Sequence, residues 1–169
     1  EYIFNNNNEL FIKFNVISDE DTIVNLTNHN YWNFHGHGNY YQNIADHNIK
    51  ILSDSYCETD KDLIPTGHMI KSLNTKYDFN NYKIIDKSFL NNGGSDICYF
   101  IDSYEKSLSL VASAYSEKTK MGMELFSDQP GLQFYTGNMM ELSYNGKNQK
   151  NYGRHYGFCF EPQLFPNAI

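Results

Sequence analysis

The chain has 169 residues, enough for one hydrophobic core, and its hydrophobic content of 40% and charged content of 20% are ordinary for a soluble globular protein. A net charge of −7 with only 13 basic residues argues against a nucleic-acid partner, because phosphate contacts need clustered Lys and Arg. No apolar run approaches the ~20 residues of a membrane span, so no membrane contact is predicted.

The opening residues, Glu1–Phe4, resemble a strand and not a signal peptide, so we expect the sequence to begin inside a longer one. The three cysteines are widely spaced and form no Cys-x-x-Cys pair, which argues against a structural zinc or a disulfide framework. Reduced thiols favour a cytoplasmic location.

Short strand-like runs recur along the chain, and turn residues separate them. The predicted strands cover residues 10–16, 22–26, 48–52, 68–73, 97–101, 108–115, 121–126, 132–136 and 156–160. The predicted turns are Pro65–Gly67, Asn92–Gly94, Gln129–Gly131 and Asn145–Gly146. Only residues 86–90 are compatible with a helical turn, so the pattern predicts a single all-β domain, either a sandwich or a barrel.

The first segment with chemical potential is residues 25–34, where polar side chains interrupt a predicted strand. Thr27, His29, Tyr31 and Asn33 would share one face of that strand. A histidine among so many amides needs hydrogen-bond partners if it is buried. His29 is therefore a candidate functional residue, with ordinary packing as the alternative.

Two further segments have the same character. Gln133 and Tyr135 share a strand face, and an amide beside a phenol suits sugar hydroxyls, although a polar outer face of an edge strand would look the same. Glu161 ends an apolar strand and Pro162 keeps it extended. Burial there would raise the carboxyl pKa, as a general base requires, whereas an exposed strand-end glutamate is the alternative.

Together these segments resemble the galactose mutarotase (aldose 1-epimerase) family from near Leu10 to the last residue. The most specific motifs are Asn25–His29, Pro130–Asn138 and Phe158–Pro166, in the family's order. Ile64–Gly67 and Gly93–Asp96 also fall where the family has similar turns.

The resemblance implies an antiparallel β-sandwich of the supersandwich type, and residues 1–169 would be the carboxyl-terminal part of one such domain, without its amino-terminal strands. By the family's pattern His29 is the acid that protonates the ring oxygen of an aldohexose, and Glu161 is the base that takes the C1 hydroxyl proton. Asp96 and Gln133 would bind other sugar hydroxyls. The implied reaction exchanges α and β anomers and requires no metal or organic cofactor.

The chain also departs from the family's pattern. Ile97 replaces a histidine that often follows the site aspartate, and His68 replaces an acidic residue, a change we expect to be peripheral. The family's amino-terminal half supplies an Asn-Arg pair and a second histidine. We therefore expect the missing half to be needed to complete the site.

Two other functions remain to be distinguished, and one metal-binding pattern is a weaker signal. A non-catalytic carbohydrate-binding module would keep the fold and cleft, and a hexose-phosphate epimerase would need a basic cluster that a single arginine, Arg154, does not supply. His35 and His37 could bind a metal from one strand face, but no third ligand is identifiable.

Overall fold

The computed structural model describes residues 1–37, 43–101, 107–141 and 146–167. Within these ranges the regular secondary structure is mostly β-strand with antiparallel pairing, plus one short α-helix, α1, and a 3-10 turn at Lys147–Gln149. The strands are β1 Tyr2–Phe4, β2 Leu10–Ile12, β3 His47–Ile51, β4 Ser55–Thr59, β5 Pro65–Lys71, β6 Lys83–Ile84, β7 Asp96–Phe100, β8 Ser109–Ser116, β9 Met121–Ser127, β10 Gly131–Tyr135 and β11 Cys159–Gln163, and α1 is Lys87–Asn91.

The strands form three sheets. β1 and β2 make a hairpin, β11-β10-β7-β4-β5 make a five-stranded sheet, and β6-β3-β8-β9 make a four-stranded sheet. One core cluster takes side chains from both larger sheets, including Ile49 and Val111 from one and Tyr99 and Phe134 from the other, all fully buried. The two sheets therefore pack face to face as a sandwich.

The five-stranded sheet has an apolar inner face because its strands alternate. Leu132 and Phe134 of β10 are fully buried, and the rings of Phe158 and Phe160 lie 6.3 and 5.4 Å from the Phe134 ring. Each buried ring of this size contributes about 1.5–3 kcal/mol through removal from water. The residues between them, Gln133 among them, point to the opposite face.

Several sequence predictions are confirmed. Strands were expected close to β3, β7, β8, β9 and β10, and the helical turn at 86–90 is α1. Asp86 caps this helix, since its Oδ1 accepts a hydrogen bond of 2.6 Å from the Phe89 N–H. The all-β sandwich class is also confirmed.

Other predictions were wrong. The strand expected at 10–16 ends at Ile12, and residues 22–26 form no strand, because their backbone finds no ladder partner among the described residues. Pro65–Gly67 opens β5, and the turn lies just before it, where the Asp60 N–H bonds the Ile64 carbonyl. The last strand is Cys159–Gln163, not 156–160.

Asn145, in the predicted Asn145–Gly146 turn, lies outside the described residues. Among the helices of the described chain, none has the length and hydropathy that crossing a bilayer would take.

Candidate active site

A cavity of about 450 Å³ opens on the outer face of the five-stranded sheet. We call this cavity the cleft. Its walls combine polar, aromatic and thiol side chains. They are His29, Tyr31, Cys57, Thr59, Leu63, Pro65, Asp96, Cys98, Gln133, Tyr135, Met139, Glu161, Gln163 and Pro166.

Strand register explains why these polar residues meet. Gln133 lies opposite Glu161 on one side and opposite Cys98 on the other. One step along the same face, Tyr135 lies between Cys159 and Asp96. Because alternate residues share a face, two adjacent rows of the sheet project into the cleft.

The loop before Asp96 is fixed by backbone and side-chain bonds to β10's end. The Ser95 N–H donates to the Thr136 hydroxyl at 2.8 Å, and the Thr136 N–H donates to the Ser95 carbonyl at 3.0 Å. Gly94 has φ +55°, and a Cβ there would collide with the Thr136 hydroxyl. Glycine is required at this position, directly before the strand that carries Asp96.

His29 reaches the cleft because its segment is fastened along β11. Trp32 and Phe158 form an isolated antiparallel bridge with backbone bonds of 2.8 and 3.0 Å. Because the two segments are antiparallel, the residue three before Trp32 lies opposite the residue three after Phe158, so His29 comes opposite Glu161. The His29 Nε2 atom is 3.4 Å from the Glu161 Oε1 atom.

The other end of this segment is held by a side chain. Asn25 Nδ2 donates to the Leu164 carbonyl at 3.1 Å, and the Leu164 N–H donates to Asn25 Oδ1 at 3.0 Å. The side-chain amide of Asn25 thus makes the two hydrogen bonds that a neighbouring strand residue would make to Leu164, just beyond β11. Asn25 belongs to a motif that carries the family resemblance, but its anchoring role was not predicted, because nothing local identifies a partner 139 residues away.

The two central side chains differ sharply in exposure. The His29 side chain is 51% exposed, whereas the Glu161 side chain is 8% exposed. Cys159 Sγ lies 3.5 Å from His29 Nδ1, and the Tyr31 ring lies 5.1 Å from the imidazole. The imidazole is therefore held on one side and open to a ligand on the other.

Burial controls the ionisation of the cleft. It raises the pKa of Glu161, the nearby Asp96 charge raises it further, and His29 opposes both effects. Burial also raises the pKa of Tyr31 to about 12 and that of Tyr135 above its usual range. Both phenols remain protonated near neutral pH and can donate hydrogen bonds to a ligand.

Asp96 and Gln133 form a fixed polar pair. Gln133 Nε2 donates to Asp96 Oδ1 at 2.7 Å. Burial raises the pKa of Asp96, and the Gln133 hydrogen bond partly offsets that effect. The pair presents oriented amide and carboxylate groups to the cleft, which suits a ligand rich in hydroxyl groups.

All four site residues predicted from sequence, His29, Asp96, Gln133 and Glu161, line this one cleft. The thiols of Cys57 and Cys98 also line it and were not predicted. Cys57 was missed because β4 was not predicted as a strand, whereas Cys98 lies in the predicted strand 97–101 but nothing in the sequence indicated that it faces a cleft.

Two departures noted in the sequence have structural explanations. Ile97 is buried in the core cluster, on the face opposite Asp96, where an apolar side chain packs well. His68 is exposed and pairs with Glu58 at 3.0 Å, outside the cleft.

The metal site that the sequence suggested for His35 and His37 does not form as expected. His35 is buried against the Ser116 hydroxyl at 3.0 Å, and His37 bonds the Tyr152 phenol. Neither belongs to a strand. Within the described chain, the group with metal-ligand spacing is instead His29, Cys159 and Glu161, whose ligand atoms lie within 4.8 Å of one another. Burial raises the pKa of the Cys159 thiol, which opposes its use as a thiolate ligand.

Comparisons with known proteins show the family of the chain. The sequence profile of the aldose 1-epimerase family matches residues 1–169. Galactose mutarotases from Sus scrofa and Homo sapiens are 33% identical over 165 residues, which is 95% of this chain and 47% of theirs. The aldose 1-epimerase of Escherichia coli is 25% identical over 174 residues, covering 99% of this chain and 49% of that protein.

Solved structures share the fold. A GalM/aldose epimerase homologue from C. elegans superposes with a TM-score of 0.72 at 24% identity, over 86% of this chain and 43% of that one. Galactose 1-epimerase from Lactobacillus acidophilus gives a TM-score of 0.69 at 25% identity, over 89% and 43%. The chain spans about half the length of the curated relatives it matches. On these matches, the chain belongs to the aldose 1-epimerase family.

Proposed function

We propose that this chain carries the acid–base pair of an aldose 1-epimerase, which exchanges the α and β anomers of an aldohexose such as galactose or glucose. The observation that carries the proposal is the 3.4 Å approach of His29 Nε2 to Glu161 Oε1 at the wall of the cleft. The relatives named galactose mutarotase and aldose 1-epimerase support the same reaction.

The reaction needs two proton transfers at one carbon. Glu161 removes the proton of the C1 hydroxyl while His29 gives a proton to the ring oxygen, and the C1–ring-oxygen bond breaks to leave the open-chain aldehyde. Rotation about C1–C2 turns the other carbonyl face to the ring hydroxyl. Ring closure then runs with the two roles reversed, so the enzyme returns to its first protonation state.

Geometry favours this division of labour. Both reacting oxygens are bonded to C1, so the acid and the base must lie close together, each within ~2.6–3.2 Å of its oxygen. The raised pKa of Glu161 makes its carboxylate a stronger base than an exposed glutamate. The half-exposed His29 can approach the ring oxygen from the open side.

Substrate contacts would come from the rest of the cleft. Asp96 and Gln133, already joined at 2.7 Å, would bind hydroxyl groups away from C1. The rings of Tyr31 and Tyr135, whose centroids are 6.3 Å apart, would offer an apolar surface to the sugar ring.

We also propose that residues 1–169 are the carboxyl-terminal part of a single domain whose amino-terminal half completes the site. The exposure of His29 supports this, and so do the exposed apolar side chains of the segment that leads to it. Ile17 and Ile23, for example, are 98% and 72% exposed. A covering element would bury these side chains and close the open side of the cleft.

Polarimetry of freshly dissolved α-D-galactose or α-D-glucose tests the function. We expect the chain to accelerate mutarotation, and His29→Ala and Glu161→Gln each to lose on the order of 10²–10⁴-fold in rate. His68→Ala is the matched control, because His68 lies outside the cleft. Unchanged rates in both site variants would remove the assignment. Calorimetric sugar binding without any acceleration would favour the carbohydrate-binding module instead.

A further inference from the structure

Two cysteine thiols lie side by side in the wall of the cleft. Tyr56 of β4 pairs with Tyr99 of β7, so the next residues along, Cys57 and Cys98, face each other across the two strands. Both line the cleft, and each thiol shifts the pKa of the other. Neither is used by the proposed mechanism.

We propose that Cys57 and Cys98 are a reversible modification site, which closes to a cross-strand disulfide by exchange with a small disulfide that enters the cleft. Directly opposed strand residues have Cβ atoms about 4.5–5.5 Å apart, and a disulfide needs about 3.5–4.5 Å. A small movement of the two strands is therefore enough to form the bond.

The pairing is specific to these two of the three cysteines. Cys159 lies on β11, and β10 separates that strand from β7. Two strand spacings amount to about 9–10 Å, beyond the ~7 Å between Cα atoms that a disulfide can bridge. Cys159 is thus a built-in internal control.

The environment of the pair favours attack by Cys57. Its pKa is lowered by the adjacent Cys98 thiol, although burial opposes this effect. The Cys98 pKa is raised by the same contact and by burial. Cys57 is therefore the first thiol to ionise, and the thiolate is the attacking species.

The exchange proceeds in two balanced steps. The Cys57 thiolate attacks one sulfur of a small disulfide RSSR, which forms a mixed disulfide and releases one RS⁻ that takes up the Cys57 proton. The Cys98 sulfur then gives its proton to the second RS⁻ as it attacks the Cys57 sulfur. The net reaction converts two thiols and RSSR into the cross-strand disulfide and two RSH.

Gly131 leaves room for the Cys98 side chain. A Cβ at Gly131 would stand 3.2 Å from Cys98 Sγ. Cys98 is also the direct neighbour of Gln133 in the sheet. Closure of the disulfide therefore acts on the row of residues that contains Gln133 and Glu161.

The test treats the native full chain with bis(2-hydroxyethyl) disulfide, followed by alkylation, trypsin digestion and mass spectrometry. We expect one linked product that joins peptide 51–61 to peptide 88–106, with Cys159 alkylated in its own peptide. Free thiols titrated with a chromogenic reagent should fall from three to one. Dithiothreitol should restore all three.

Variants and an unfolded sample make the outcome decisive. Cys159→Ser should still give the linked product, whereas Cys57→Ser should give none. In urea the same treatment should give a mixture of pairings, because strand register no longer selects a partner. The proposal is overturned by a stable mixed disulfide on Cys57 or Cys98, by a link to Cys159 in the native chain, or by a link that forms only in urea. These readouts do not depend on any sugar activity.

Discussion

Glu161 is a carboxylate enclosed by rings and a thiol, and it gains reactivity from that enclosure. The same burial would be costly if no partner compensated it, and His29 at 3.4 Å is that partner. The Glu161 carboxylate is therefore less stable in its ionised form than it would be in water, and it is held next to His29. This is the usual arrangement by which a protein prepares a carboxylate for proton abstraction.

The pH dependence of the rate follows from this environment. As the proposed base, Glu161 must be ionised, and its pKa is raised, so activity should fall with decreasing pH at a higher pH than for an ordinary glutamate. The Asp96 charge contributes to the raised pKa. We expect Asp96→Asn to move the acid limb of kcat/KM to lower pH and to raise KM.

The control for this experiment is Glu124→Gln, which removes an exposed carboxylate on β9 of the other sheet. It should leave the acid limb where it is. A limb that stays fixed, or moves upward, in Asp96→Asn would contradict the electrostatic coupling of Asp96 to Glu161.

His47 links stability to pH through two hydrogen bonds. Its Nδ1–H donates to the Ile44 carbonyl and its Nε2 accepts from the Phe34 N–H, both at 2.9 Å. Burial lowers its pKa from 6.5 to about 4, so the unfolded chain binds the proton more tightly. Stability should therefore decrease as pH falls from 6.5 to 4, by about 3 kcal/mol from this residue.

Urea unfolding across this pH range measures the effect. His47→Gln, which cannot titrate, should flatten the dependence, although His35 also has a lowered pKa and will leave some slope. His68→Gln, at an exposed position, should behave as the parent chain does. An equal slope in His47→Gln and the parent would refute this account.

The residues of the site were partly predictable from sequence. Gln133 and Tyr135 could be assigned to one face because period-2 alternation fixes side-chain direction within a strand. The anchoring role of Asn25 could not be predicted, because it depends on how its segment aligns with the residues after β11, and that segment forms no strand. The orientation of Ile97 follows from the same alternation, and its burial explains its apolar character.

Among the elements, β11 carries Glu161, the proposed base, and lies at the edge of its sheet. It contains Pro162, which cannot donate a ladder bond, and β11 is the edge strand of the five-stranded sheet. The free edge accepts the segment that carries His29 through a single bridge and the Asn25 side chain. In the described chain, the segment that carries His29 is thus held against the strand of Glu161 by a backbone bridge and the Asn25 side chain, without a continuous ladder.

Gly157 allows this close approach. A Cβ at Gly157 would lie 2.9 Å from the Tyr31 Cβ, which is too close for the two segments to keep their positions. We expect Gly157→Ala to push Tyr31 and His29 away from β11, to cost about 1–3 kcal/mol of stability and to lower the mutarotation rate. Gly153→Ala is the matched control, since its nearest contact would be an ordinary 3.4 Å to the Tyr156 ring. Equal behaviour of the two variants in thermal unfolding and polarimetry would argue against this role.

The runs that correspond to β3, β7, β8, β9 and β10 each pair with a neighbouring strand in one of the two large sheets, and their limits were placed within one residue. The runs 10–16 and 22–26 have equally good strand composition, yet composition cannot supply a partner strand. β-propensity describes a fit to a pleated surface and does not by itself create one.

Across the whole chain, apolar side chains are buried in the sandwich but exposed in the segment before His29. The sandwich core is closely packed, whereas residues before His29 expose apolar side chains along their length. Phe4 is 71% exposed, and the side chains of Ile17 and Ile23 are still more exposed. Exposed apolar residues in a continuous stretch mark a surface that another element covers.

An extension experiment tests the proposal that an amino-terminal half completes the domain. The upstream half of Sus scrofa galactose mutarotase, joined before Glu1, should bury this surface, with each large side chain contributing about 1.5–3 kcal/mol. We expect a higher urea midpoint, a steeper transition and faster mutarotation than for the chain alone. Replacing Ile17 and Ile23 with serine should reduce the gain in the extended protein but should have little effect on the isolated chain, where both side chains already face water. If the isolated chain unfolds cooperatively at the same midpoint and catalyses at the same rate as the extended protein, the cleft is complete without an added half, and the open side of His29 is simply the entrance for the sugar.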